Sequence, residues 1–218
     1  MTLISSTLVH NVILPRKPAG EKYPAVLFLH GRGANEDDLL EISEYLDERL
    51  MCISARAPYP FPYGGGFTWY DLLEVGKPDL DMFNESYNAL RAFIEDILKG
   101  YPIDPKKLFL FGFSMGTMMS YSIALTRPEL ICGVAANSGY IPEDTSLQFG
   151  WNKLKGKSFF VAHGTNDPVI PVTFARRSRE LLSNTDAELE YHEYPMGHEI
   201  GGQSVVDLQA WFKKQIDR

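Results

Sequence analysis

The stretch "LFLFGFSMGTMMS", residues 108–120, decides how the rest of the chain is read. An apolar run with bulk on both faces ends at Phe113, and a second apolar segment resumes at Met115. Between them lies Ser114, with Gly112 and Gly116 two residues to either side. The pattern predicts a strand, a very tight reversal and a helix. In such a reversal the serine backbone is strained, and its flanks must lack bulk so that strand and helix can close on each other. The turn lifts the Ser114 hydroxyl above the sheet edge. It also points the Met115 amide, at the positive end of the helix, into the same space. A chance glycine-serine-glycine spacing is the bland alternative; the placement between two buried elements weighs against it.

Outward from this turn, short apolar runs alternate with amphipathic stretches, the signature of strand and helix layers. Residues 25–31, 51–57, 107–113, 131–138, 158–164 and 188–194 read as strands, and "STLVHNVIL" near the start as a weaker edge pair. Several are apolar on both faces, as a parallel sheet covered by helices on each side requires. Asn35 is expected to cap a helix over 36–50, whose acidic first turn suits the helix dipole. Tyr87, Leu90, Ile94, Ile97 and Leu98 form an apolar stripe on the next helix, stopped by Gly100 and Pro102. Val205, Leu208, Phe212 and Ile216 mark the last. Residues 57–82, rich in Pro, Gly and aromatics, are too long for a simple connection and are expected to form a functional loop or lid.

The totals bound the answer. The 218 residues, 44% hydrophobic and 22% charged, fit one domain over 1–218. A formal charge of -7 argues against a duplex or an anionic membrane as the main partner. Cys52 and Cys132 sit in apolar stretches and are expected to be buried thiols, a pattern compatible with the cytoplasm. The first residues do not read as a signal peptide, and no segment has the apolar length of a membrane span.

A serine hydroxyl is a poor nucleophile unless a base takes its proton, and the base needs an orienting carboxylate. With a serine on a strand-to-helix turn, acid and then histidine should follow it in the chain, on loops after later strands. Asp167 follows the strand at 158–164 in "HGTNDPVIP", and His198 follows the strand at 188–194 in "YPMGHEIGG", where Gly197, Gly201 and Gly202 are expected to let the backbone carry an exposed ring. His30 and His163 each precede a glycine at a strand end and read as structural histidines; His192 lies inside a strand, and His10 near the start. Asp71 reads as a turn cap, and Asn166 carries no charge to stabilise a protonated base. The second oxyanion donor is expected from the loop after an early strand, where "FLHGRGANEDD" offers the Arg32 amide. The Arg32 side chain is expected to face solvent, the alternative being an acidic group on a substrate. Phe61, Tyr63, Phe67, Trp69 and Tyr70 either line an acyl pocket or form core under the long loop; Phe67, Trp69 and Tyr70 are the candidate substrate contacts.

Together "FLHGRG", "TWYDL", "GFSMG", "HGTNDPVIP" and "GHEI" resemble an α/β-hydrolase, and more narrowly the phospholipase/carboxylesterase family that includes the acyl-protein thioesterases. The likeness runs from about Tyr23 to Phe212. It implies the α/β-hydrolase fold, a mostly parallel central sheet with helices on both faces. It also implies a serine hydrolase acting on carboxylic esters, with Ser114, Asp167 and His198 as triad, the amides of Arg32 and Met115 as oxyanion hole, and no metal or organic cofactor. The expected partner is a small-molecule ester, with no nucleic acid and no membrane span; self-association into a homodimer stays open. Thioesterase members usually carry "HGLGD" and "GFSQGG", whereas Arg32 and Met115-Gly116-Thr117 stand here. Backbone donors survive such changes, but substrate does not follow from them. A thioesterase, lysophospholipase or peptidase, or a non-catalytic binding protein on this fold, are the alternatives.

Overall fold

The computed structural model describes residues 2–18 and 20–218. Seven strands form the central sheet: β1 (His10–Ile13), β2 (Tyr23–Leu29), β3 (Met51–Ala55), β4 (Ile103–Phe113), β5 (Gly133–Asn137), β6 (Ser158–Gly164) and β7 (Glu188–Tyr194). Their spatial order is β1-β3-β2-β4-β5-β6-β7. Only β1 runs antiparallel to its neighbour; the other pairings are parallel. Four helices return the chain between strands or close it: α1 (Leu80–Gly100), α2 (Met115–Thr126), α3 (Val172–Ser183) and α4 (Gly202–Ile216).

The period of two along the strands divides the core into two layers. Leu27, Leu29, Leu108, Leu110 and Val134 face α1 and α2, in one cluster with Phe83, Phe93, Ile97, Met119 and Ile123. Leu182 of α3 belongs to the same layer. Val26, Phe28, Phe109, Phe111 and Phe160 face the other way, against Leu208, Trp211, Phe212 and Ile216 of α4. The strands are therefore apolar on both faces because helices cover both. α2 is buried from Met115 to Leu125, since it lies between the sheet and its neighbours rather than against solvent. Its Ser120 and Ser122 hydroxyls donate to the carbonyls of Gly116 and Met118, one turn back, which satisfies them inside the core.

Four elements differ from the expectation. Residues 36–50 form turns and one 3-10 segment, Leu40–Tyr45, in place of a helix. Their amides bond three residues back, not four: Leu40 to Asp37, Ile42 to Leu39, Leu46 to Ser43. Side chains anchor the entry to this segment elsewhere. Asn35 Oδ1 accepts from the Asp37 amide, Asp37 accepts from Asn11, and buried Glu36 pairs with Arg56. Within residues 57–82, two short hairpins pair Tyr59–Pro60 with Phe67–Thr68 and Leu72–Glu74 with Lys77–Pro78, and the last three residues already belong to α1. α1 also starts earlier than its apolar stripe, because Asp79 caps it by accepting from the Asp81 and Met82 amides at 3.1 and 3.0 Å. Near the N-terminus one edge strand forms in place of a pair.

Phe109 is fully buried against Trp211 and Phe212, with ring centroids 5.7 and 5.6 Å away. Phe109→Ala removes that edge-to-face packing and leaves a cavity under α4. We expect a loss of about 3–5 kcal/mol of unfolding free energy, read by urea denaturation with an unchanged m-value.

Candidate active site

The loops that leave the carboxyl ends of β4, β6 and β7 converge above the sheet, as the parallel strand direction requires. Ser114 occupies the reversal from β4 into α2 at φ 52, ψ -119, a region that side-chain-bearing residues rarely adopt. Three contacts hold it there. Its amide donates to the Asn137 carbonyl at the end of β5 (3.0 Å), the Thr117 hydroxyl donates to the same carbonyl (2.7 Å), and the Asn137 amide donates back to the Thr117 hydroxyl (3.1 Å). Close approach of α2 to β2 completes the arrangement: a Cβ on Gly116 would overlap the Leu29 carbonyl.

Asp167, between β6 and α3, accepts at Oδ1 from the Val169 and Ile170 amides at 2.8 and 2.9 Å. Its other oxygen, Oδ2, is 2.7 Å from His198 Nδ1, and His198 Nε2 is 2.9 Å from Ser114 Oγ. The structure thus brings the three side chains together across 84 residues of sequence. With the carboxylate accepting from Nδ1–H, the Nε2 lone pair faces the serine hydroxyl, which donates to it. The Asp167 side chain is fully buried, whereas His198 keeps 17% of its side chain open to solvent. Burial by itself raises the Asp167 carboxyl. Hydrogen bonds from His198, Ile170 and Val169 outweigh it and hold the group below its ordinary value.

Several supporting residues carry no sequence signal of their own. Ser138, also in the left-handed region at φ 47, donates its hydroxyl to the Glu199 carbonyl at 3.2 Å and so ties the histidine loop to the end of β5. Asn166 donates to the Met196 carbonyl at 3.1 Å, joining the acid loop to the histidine loop. That approach needs Gly164, where a Cβ would overlap the carbonyls of Gly197 and Met196. The expectation that Gly197, Gly201 and Gly202 free the histidine backbone is not met, since none of them has positive φ. His163 is buried, donates through Nε2 to the Ile170 carbonyl at 2.8 Å and lies 3.4 Å from Asp167 Oδ2. Burial holds its pKa below the usual imidazole range, so it stays neutral as a prop of the acid loop. His30 is likewise depressed by burial; it bonds the Gly31 carbonyl and accepts from the Ala57 amide, a satisfied core histidine.

A cavity of about 420 Å³ opens at Ser114, lined by Gly31, Arg32, Asp38, Phe113, Val169 and His198 among others. Arg32 lines it and Met115 lies next to Ser114; among the described residues neither of these two amides, the expected oxyanion donors, has a backbone acceptor in a turn or loop. Of the candidate substrate contacts, Trp69 and Tyr70 are 0% and 1% exposed and belong to the core. Trp69 donates its indole N–H to the His30 carbonyl, and Tyr70 packs edge-on against Phe83. Phe67 is half-buried in the first hairpin, beneath the Arg56 guanidinium, and exchanges backbone hydrogen bonds with Gly33 and Ala34. The aromatic block therefore supports the loop after β2 from below. Among the described residues no group of three side chains is placed to hold a metal ion, and no helix is long and apolar enough to cross a membrane.

This parallel sheet, with its strained serine turn and its acid and histidine loops at the strand ends, is the α/β-hydrolase fold, and the protein is a hydrolase. The chain belongs to the phospholipase/carboxylesterase family, whose sequence model matches residues 10–216. It is 27% identical over 214 residues to acyl-protein thioesterase 1 of Candida albicans, covering 89% of this chain and 93% of that one. Carboxylesterase SOBER1 of Arabidopsis thaliana is 26% identical, with 88% and 90% covered. The crystal structure of the Bacillus cereus carboxylesterase superposes with a TM-score of 0.84 at 25% identity, covering 95% of this chain and 94% of that one.

The depressed Asp167 carboxyl has a pH consequence. Its folded pKa lies below the ordinary 3.8, so the folded state binds fewer protons. Its contribution to stability is therefore present above about pH 4 and lost as pH falls through the folded value. In urea unfolding at stepped pH, Asp167→Asn should flatten the decline of stability below about pH 4; an unchanged decline would contradict the assignment.

Proposed function

We propose that the protein cleaves carboxylic esters by a two-step serine mechanism. Ser114 attacks the ester carbonyl while His198 Nε2 takes the hydroxyl proton. Asp167 orients the imidazole through Nδ1 and stabilises its charged form, and the amides of Arg32 and Met115 receive the oxyanion. The histidine then returns the proton to the departing alcohol. A water, deprotonated by the same nitrogen, attacks the acyl-enzyme and releases the acid. These steps call on no metal or cofactor.

The observation that carries this reading is the unbroken relay from Asp167 Oδ2 through His198 to Ser114 Oγ, with contacts of 2.7 and 2.9 Å. Phe113 and Val169 offer an apolar wall beside the hydroxyl, suited to the acyl chain of a small ester. A cytoplasmic setting fits the two unpaired thiols, Cys52 being buried and pushed up to about 12 by desolvation. A thioester substrate is the second reading, favoured by the relatives named as acyl-protein thioesterases. Because a thiol leaves more readily than an alcohol, the same machinery serves both.

Ser114→Ala should lower turnover of 4-nitrophenyl butyrate by about a thousandfold or more and abolish labelling by a fluorophosphonate, with the unfolding midpoint no lower than wild type. Turnover retained in that variant would overturn the mechanism. Rates on matched butyryl ester, thioester and anilide substrates should then separate the readings: an esterase prefers the oxygen ester, and a thioesterase the thioester by about tenfold.

A further inference from the structure

We propose that the Arg32 guanidinium selects esters that carry a carboxylate, by binding that group at the rim of the Ser114 cavity. The proposal rests on the serine-hydrolase reading above and deepens it by naming a substrate class.

Arg32 lines the same cavity as Ser114 and His198, and it is the one Arg or Lys among the lining residues. Its own amide is the proposed oxyanion donor, so its guanidinium stands within one side-chain length of the reacting carbonyl. The loop that mounts it is rigid: Gly33 donates to the Phe67 carbonyl at 2.8 Å, and Phe67 donates to the Ala34 carbonyl at 2.7 Å. The guanidinium lies over the Phe61 ring, 4.9 Å from its centroid, which fixes its position without using its N–H donors.

Those donors are almost unspent. The polar partner is Asp71, reached through one nitrogen at 3.5 Å, with the two side chains 36% and 50% exposed. Elsewhere in the molecule arginines meet carboxylates fork to fork. Arg176 holds Glu193 through two nitrogens at 2.8 and 2.7 Å, and Arg177 holds Glu143 through two at 3.0 Å. The side chain of Arg32 is thus held in place at the rim of the cavity with most of its donors free, and a planar carboxylate can take two of them in parallel hydrogen bonds. Asp71, loosely placed, is a counterion that a substrate carboxylate can displace. Asp38 also lines the cavity and is exposed, so a cationic ester is the competing occupant.

The test compares kcat/KM for two anionic esters, 4-nitrophenyl hemisuccinate and 4-carboxyphenyl butyrate, with that for neutral 4-nitrophenyl butyrate and for butyrylcholine. Arg32→Met keeps the length and the contact with Phe61 but removes the donors. It should lower the anionic-to-neutral ratio of at least one anionic ester by about tenfold, and Asp71→Asn should raise it two- to threefold on the order expected for loss of an exposed ion pair. A purely structural Arg32 would lower all rates together and leave the ratios where they were. Ratios for both anionic esters that move less than about twofold in Arg32→Met, or a wild-type preference for the choline ester over both, would overturn the proposal. Loss of fluorophosphonate labelling and neutral-ester turnover in the wild type would fall on the serine mechanism instead, so the two failures are told apart.

Discussion

Everything at the site depends on one backbone conformation, that of Ser114 at φ 52, ψ -119. A side chain in that region costs of order 1–3 kcal/mol, and the cost is met by surroundings that leave the turn no alternative. The chain must leave β4 in the middle of the sheet and enter α2 at once, because α2 lies directly on β2. Gly116 makes that contact possible, and the Asn137 carbonyl accepts from both the Ser114 amide and the Thr117 hydroxyl. The hydroxyl that results is held clear of the sheet and within reach of an imidazole.

From that point the site is an assembly of strand ends. The acid loop rests on β6, the histidine loop leaves β7, and Gly164 lets the two pass in contact. Asn137 and Ser138, at the end of β5, tie the serine turn on one side to the histidine loop on the other. Two neutral, buried histidines serve as struts: His163 holds the Ile170 carbonyl beneath the acid, and His30 holds the loop after β2 that presents Arg32. The second layer is therefore polar but uncharged. Among the residues around Ser114 it leaves the Asp167 carboxylate as the buried charge, paired where its hydrogen bonds offset its desolvation.

The legible parts of the sequence were those with a local cause. Strand positions followed from two-faced apolar runs, and the order serine, acid, histidine followed from loops after successive strands. Residues 36–50 depart from the helix their pattern predicts because helical periodicity is also satisfied by a chain of i to i+3 turns, and long-range anchors, Glu36 to Arg56 and Asp37 to Asn11, make the choice. Trp69 and Tyr70 were ambiguous for a similar reason: an aromatic in a loop has no periodicity to say which side of the surface it takes. Thr117, Asn137 and Ser138 carried no signal, since their roles are hydrogen bonds to residues up to 61 positions away.

The sequence by itself determined the class of fold and the position of the tight serine turn, because alternation of apolar runs and the spacing of Gly112, Ser114 and Gly116 are constraints on neighbouring residues. Tertiary structure alone decided which aromatics are core, how 36–50 is folded, and that Arg32 and Ser114 line one cavity. Those outcomes depend on distances between segments far apart in the chain, set only when the sheet has brought its strand ends to one edge.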